Sequence, residues 1–203
     1  MLDKIKSVYK LFNCEDKNLY TNDEFKKSLE KLFQVAKKIC NEYDFKPEEQ
    51  VGDVITSCII SDIPQHVFNV DRFDNLYEWI CNKLMSVSSS FGIENPTKVK
   101  ISRAWANKMY KGSSGLCHNH ISNKEYSGVA IFYVSVPEGS SDIVFVDGGV
   151  NNTPLSEYPE DVKEYVKLKD GDLLIHESDS PHAVTEHKSD DPRMCIVLDF
   201  CFE

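Results

Sequence analysis

No apolar run in this 203-residue chain approaches the roughly 20 residues that a membrane-spanning helix needs, so no span is expected. The N-terminus, Met1-Leu2-Asp3-Lys4-Ile5-Lys6, lacks the unbroken apolar stretch of a secretory signal, and the expected location is the cytoplasm. Cysteine pairs at C-x-x-C spacing are missing. The seven cysteines (Cys14, Cys40, Cys58, Cys81, Cys117, Cys195, Cys201) are scattered and odd in number, which argues against a disulfide framework or a zinc knuckle. Core filling in a reducing compartment is their expected role. Positive charge is also scarce: 23 Lys and Arg against 33 Asp and Glu leave a net charge of −10, which opposes phosphate-driven binding of nucleic acid. Internal repeats, low-complexity tracts and linkers are absent too. One domain over 1–203 is therefore expected, and the 41% of hydrophobic residues can supply its core.

The chain speaks two languages. In the first half, Phe25, Leu29, Leu32, Phe33, Ala36, Ile39, Cys40 and Tyr43 recur at three- and four-residue steps, and Thr21-Asn22-Asp23-Glu24 supplies a capping-box start. A second helical pattern runs through Phe73, Leu76, Ile80, Leu84 and Val87, with Gly92 placed to stop it. From about Val99 short β-rich runs take over: 99–105, 128–136, 143–146, 162–168, 172–176 and 194–202. Asp170-Gly171 is a tight-turn signal before one of them. The division is a mostly helical support region over 1–95 and a β-rich core over 96–203, a sandwich or barrel by its strand spacing.

Histidine is sparse, which makes its placement informative. Of the six (His66, His118, His120, His176, His182, His187), two stand in Cys117-His118-Asn119-His120 at a predicted strand end. Residues two apart on a strand share a face, so both imidazoles can reach one metal ion. His182 follows Gly171-Asp172-Leu173-Leu174-Ile175 and the turn Ser178-Asp179-Ser180-Pro181, which returns it from another strand. Such a set builds a facial metal site with open positions. If His120 is not a ligand, Asp142, Asp147 and Asp179 are the candidate carboxylates. His66, His176 and His187 are read as structural. Arg193 opens an apolar strand, where a buried guanidinium needs an anionic partner, and a carboxylate ligand would meet that need by a bidentate pair. The combination points to an oxygenase that uses a keto-diacid.

The ordered set Ala104-Trp105-Ala106-Asn107, Gly112, His118-Asn119-His120, Ser127-Gly128-Val129, Phe132-Tyr133-Val134, Gly171-Asp172-Leu173, Pro181-His182-Ala183-Val184 and Arg193 resembles the 2-oxoglutarate/Fe(II) oxygenases of bacteria and phages, relatives of the prolyl hydroxylases. The resemblance implies a mainly β protein with N-terminal helices, its core a double-stranded β-helix (jelly roll, cupin-like), with Fe(II) at the mouth and 2-oxoglutarate as cosubstrate. It makes His118 the first ligand and His182 the distal one. His120 falls where the wider superfamily has the carboxylate of H-x-D or H-x-E. The same resemblance gives Arg193 the distal carboxylate of 2-oxoglutarate, with the Tyr133 phenol beside it. The implied reaction consumes oxygen, releases succinate and CO2, and hydroxylates a primary substrate that the sequence does not name. Histidine at 120 leaves the ferrous site one negative charge short.

Three other classes are weighed against this reading. A three-histidine cupin dioxygenase would use the same ligands without 2-oxoglutarate, making Arg193 a substrate clamp. A nuclease of the HNH kind spreads those letters over a different metal fold, and the accompanying pattern is missing. A non-catalytic jelly-roll binding protein would hold metal or ligand without turnover.

Overall fold

The computed structural model describes residues 9–43, 48–58, 73–120 and 128–203. His66 and the first residues of the chain, read above for histidine role and signal character, lie outside that set. The helical periodicity is realised in α2 (Asp23–Tyr43), which buries Phe25, Leu29, Phe33 and Ala36, and in α3 (Asp74–Ser86), which buries Leu76, Ile80 and Leu84. The cap of α2 differs from the expected one. Thr21 is already the last residue of a short helix, α1 (Asn18–Thr21), and its hydroxyl donates to the Lys17 carbonyl at 2.9 Å. Asn22 takes the role instead, its Oδ1 accepting the Phe25 N–H at 2.8 Å. After α3 a 3-10 turn over Ser88–Phe91 ends at Gly92, whose φ of 70° is the left-handed conformation of a helix stop.

Two antiparallel sheets form the body. The larger has the order β1-β9-β6-β11-β4-β3, where β1 is Tyr9–Asn13, β3 Val54–Thr56, β4 Val99–Met109, β6 Gly128–Ser135, β9 Asp172–Glu177 and β11 Arg193–Phe202. The smaller has the order β2-β5-β10-β7-β8, where β2 is Gln50–Val51, β5 Ser114–His118, β7 Ile143–Val146, β8 Lys163–Val166 and β10 His182–Val184. Neighbours far apart in sequence, such as β9 beside β1 and β10 beside β5, are those of the expected jelly roll.

Beside its helices, the region 1–95 contributes three short strands that the sequence reading did not identify. It supplies β1 to the edge of the larger sheet against β9, β3 to its other edge against β4, and β2 to the edge of the smaller sheet against β5. These strands are two to five residues long and carry no clear alternation, so their pairing comes from edges already formed rather than from local pattern.

Strand alternation sorts the core into layers. On one face of the larger sheet Ala104, Ala106, Phe132, Leu198 and Phe200 meet Phe25, Phe33, Leu76 and Leu84 of the helices. Between the sheets lie Trp105, Ile131, Tyr133, Phe145, Leu174, Cys195 and Val197. The far side of the smaller sheet buries Cys117, Val144, Val146 and Ala183 under Leu155, Tyr158 and Val162. The Asp170-Gly171 turn forms as expected, with Gly171 at a φ of 82°, and a Cβ there would stand 2.6 Å from the Tyr20 hydroxyl. All seven cysteines are free thiols. Among the described residues no helix is long and apolar enough to cross a membrane.

Candidate active site

β5 ends on His118 and β10 begins on His182, and the two are direct cross-strand partners. Their rings therefore share a face of the smaller sheet, with centroids 4.4 Å apart. His120 arrives differently from the sequence expectation. β5 has stopped at His118, so no pleat aligns positions 118 and 120; the His120 N–H instead donates to the Ser178 carbonyl at 2.8 Å, which folds the segment back over the site. Its ring centroid lies 5.5 Å from those of both His118 and His182. One ligand atom from each of the three histidines falls within 4.8 Å of the others.

Every one of these rings has its Nδ1 engaged. His118 Nδ1 donates to the Leu116 carbonyl at 2.9 Å and His182 Nδ1 to the Ser180 carbonyl at 3.0 Å, while His120 Nδ1 bonds Asp199 Oδ1 at 2.8 Å. A carbonyl accepts only, so the first two rings carry their proton on Nδ1 and keep a lone pair on Nε2. Burial lowers the pKa of His118, helped by the neighbouring His120. Burial also takes His182 well below its ordinary value, with His118, His176 and His120 adding to the effect. Neutral imidazoles facing one point are ready donors for a divalent first-row metal.

His176 is the fourth histidine in this region. It is fully buried on β9, its ring 4.6 Å from His182 and 5.3 Å from Phe145, and burial pushes its pKa down to about 3. It stays outside the group of converging ligand atoms, as do Asp142, Asp147 and Asp179. His187 is also buried and structural, its Nε2 bonded to the Asp191 carbonyl at 2.8 Å.

A cavity of about 230 Å³ opens beside the three histidines and reaches Tyr133 and Arg193 between the sheets. Arg193 is 3% exposed, with its guanidinium 4.9 Å over the Tyr133 ring. Nη1 donates to Met109 Sδ at 3.0 Å, and among the described residues Nε has no hydrogen-bond partner. Among the described residues no carboxylate pairs with it. The buried Tyr133 hydroxyl is unpartnered as well, and burial holds its pKa above the ordinary value despite Arg193, so it remains a protonated donor. Leaving such groups unmatched in a dry interior is costly, and a carboxylate would satisfy both. The donor set and this cradle thus fit a divalent metal at one end and a keto-diacid reaching to the other. Asn107 Oδ1 and Gln50 Oε1, also unpartnered, line the same cavity.

Sequence reasoning missed Asp199. It is 1% exposed, lines the cavity, holds His120 by one oxygen and lies 3.1 Å from Arg103 Nε by the other. Its signal was the inward alternation Arg193, Cys195, Val197, Asp199 on β11, which puts a charge on an interior face.

Residues 103–199 match the family model described as "Putative 2OG-Fe(II) oxygenase". No curated protein matches the chain in sequence. Among solved structures, an oxidoreductase of the 2OG-Fe(II) oxygenase family from Burkholderia pseudomallei superposes with a TM-score of 0.59 at 12% identity, covering 98% of this chain and 88% of the other. A Pseudomonas putida prolyl-4-hydroxylase gives a TM-score of 0.56 at 12% identity over 98% and 95% of the two chains. HygX from Streptomyces hygroscopicus, with nickel and 2-oxoglutarate bound, gives 0.54 at 12% over 98% and 85%. The matched segment runs from Arg103 through all three histidines and Arg193 to Asp199, so every residue of the candidate site lies in the part of the chain that is similar to the 2-oxoglutarate/Fe(II)-dependent oxygenases.

Proposed function

We propose that His118, His120 and His182 hold Fe(II), and that Arg193 with Tyr133 holds the distal carboxylate of 2-oxoglutarate. The observation that carries the reading is the pair at the Arg193 end of the cavity: Arg193 Nε and the Tyr133 hydroxyl, both buried and, among the described residues, without a hydrogen-bond partner. Iron(II) with 2-oxoglutarate supplies oxygen activation coupled to decarboxylation, yielding succinate, CO2 and a hydroxylated product. The chain's residues orient and confine that chemistry. His118 and His182 offer Nε2 because the Leu116 and Ser180 carbonyls hold their other nitrogen. Arg193 fixes the far end of the cosubstrate, and its stacking on Tyr133 keeps the fork from turning away. Apolar Ile131, Ile143 and Val197 line the cavity between the ends and limit water there.

The whole span 1–203 acts as one domain, supported by the three edge strands that its N-terminal region lends to both sheets. A cytoplasmic location is supported by the free cysteines, and a primary substrate other than nucleic acid by the net charge of −10. The test is turnover without a primary substrate: protein with Fe(II), oxygen, ascorbate and 2-oxoglutarate is expected to release succinate slowly. No succinate, together with metal binding that ignores 2-oxoglutarate, would move the protein to the three-histidine dioxygenases or to non-catalytic binders.

A further inference from the structure

The wider superfamily places a carboxylate where this chain has His120, and the structure shows a carboxylate one imidazole further out. Asp199 Oδ1 lies 2.8 Å from His120 Nδ1. The other two converging histidines give their Nδ1 proton to neutral carbonyls, those of Leu116 and Ser180. Of the three rings, only His120 is backed by an ion. Asp199 itself is 1% exposed and stands on β11 opposite Arg103 on β4, just before the ladder shifts register at Phe200. Arg103 Nε approaches Asp199 Oδ2 at 3.1 Å, the distance of an ion pair, though its N–H lies off the line of a hydrogen bond. Arg103 also stacks on Trp105 at 4.9 Å, and Trp105 in turn stacks on His120. The carboxylate thus faces Arg103 with one oxygen and His120 with the other.

We infer that Asp199 is a positioning residue that supplies, through His120, the negative charge missing from the three-histidine site. It holds His120 with the proton on Nδ1 and the lone pair on Nε2. By drawing on that proton it makes His120 a stronger donor than His118 or His182, as a carboxylate behind a metal-bound imidazole does. Its location explains how histidine can stand at position 120: the charge has moved from the first contact to the group behind it.

The inference rests on the three histidines holding metal, and the test separates the two. In the metal-free wild-type protein, long-range proton–nitrogen NMR is expected to show His120 as the Nδ1–H tautomer; an Nε2–H tautomer would overturn the inference with no variant needed. With Co(II) as probe, Asp199→Asn is expected to weaken binding by about 10- to 100-fold and to shift the cobalt ligand-field bands, since removing such partners costs that much. In a His120→Asp background, where a carboxylate meets the metal directly, the same Asp199→Asn change is expected to leave Co(II) affinity nearly unaltered. An equal loss in both backgrounds would make Asp199 merely structural, and unchanged affinity in the wild-type background would remove its role. If His118→Ala and His182→Ala bind Co(II) like wild type, the ligand assignment fails instead. Asp and Asn share a shape, and near-UV circular dichroism identifies any variant that has lost its packing.

Discussion

The two faces of the larger sheet are made by the same strands one residue out of phase, and they follow opposite rules. Toward the helices, Ala104, Ala106, Phe132, Ile196, Leu198 and Phe200 are apolar and closely packed. Toward the smaller sheet, Arg103, Asn107, Tyr133, Arg193 and Asp199 bring charge and polarity into the interior, and several of their atoms lack partners. One face spends its burial on stability; the other keeps polar atoms unmatched where a ligand can meet them. A fold carries this second face only because the first is so well packed.

The sharpest way to break the contrast is on the site side. His182→Ala is expected to abolish measurable metal binding in calorimetry while the protein stays folded, because it removes a proposed ligand whose ring meets His118, His176 and Phe145 rather than the helical core. Retained binding would show that the three rings do not act together. Arg193→Ala should weaken 2-oxoglutarate by about 3–5 kcal/mol, the loss typical when one partner of a buried ion pair is removed. Metal affinity should survive, and equal 2-oxoglutarate affinity in mutant and wild type would dismiss the clamp.

On the packed face the expectation reverses. Leu198→Ala, one residue before Asp199 and pointing the other way, should destabilise the fold by about 2–5 kcal/mol in urea titration. Its folded fraction should bind metal and 2-oxoglutarate normally. Loss of binding without loss of stability would mean that the two faces are not independent.

Acid should act through the site face. His176 is held neutral by burial down to about 3, with repulsion from the nearby His120 and His118 rings adding to the effect, and His182 and His118 shift the same way. In the unfolded chain these rings take up protons near their ordinary value of 6.5, so the native state binds fewer. Stability of the metal-free protein should be full above that value and fall as pH drops from there toward about 3. Thermal melts across this range are the check, and a flat profile would mean the rings are not dry.

The smallest effect is expected at Tyr133. Changing it to Phe removes an orphaned hydroxyl, so the ligand-free protein should keep or slightly gain stability, while 2-oxoglutarate weakens by about 1 kcal/mol, the worth of one hydrogen bond. If stability instead fell and affinity held, the hydroxyl would be part of the packing and not of the cradle.

Much of this was legible beforehand because periodicity is local. The faces of α2 and α3, the runs 143–146 and 194–202, and the turn at Gly171 announce themselves through neighbours within a few residues. The edge strands β1, β2 and β3 do not, since short segments take extended form only when a sheet edge is present to pair them. The start of α2 was legible only in part, because whether Thr21 or Asn22 caps it depends on the small helix before it.

At the site the division is sharper. Sequence alone selected His118, His120, His182 and Arg193, through histidine spacing and a charge that opens an apolar strand, and the family resemblance added Tyr133. The orientation of His120 was decided by tertiary structure: β5 ends too early for the pleat to aim it, and the Ser178 carbonyl does so from another loop. Tertiary structure alone also joined His120 to Asp199, which is 79 residues away. A hydrogen bond between side chains that distant leaves no trace in local spacing, and it exists only because β11 lays its inward residues beside the end of β5.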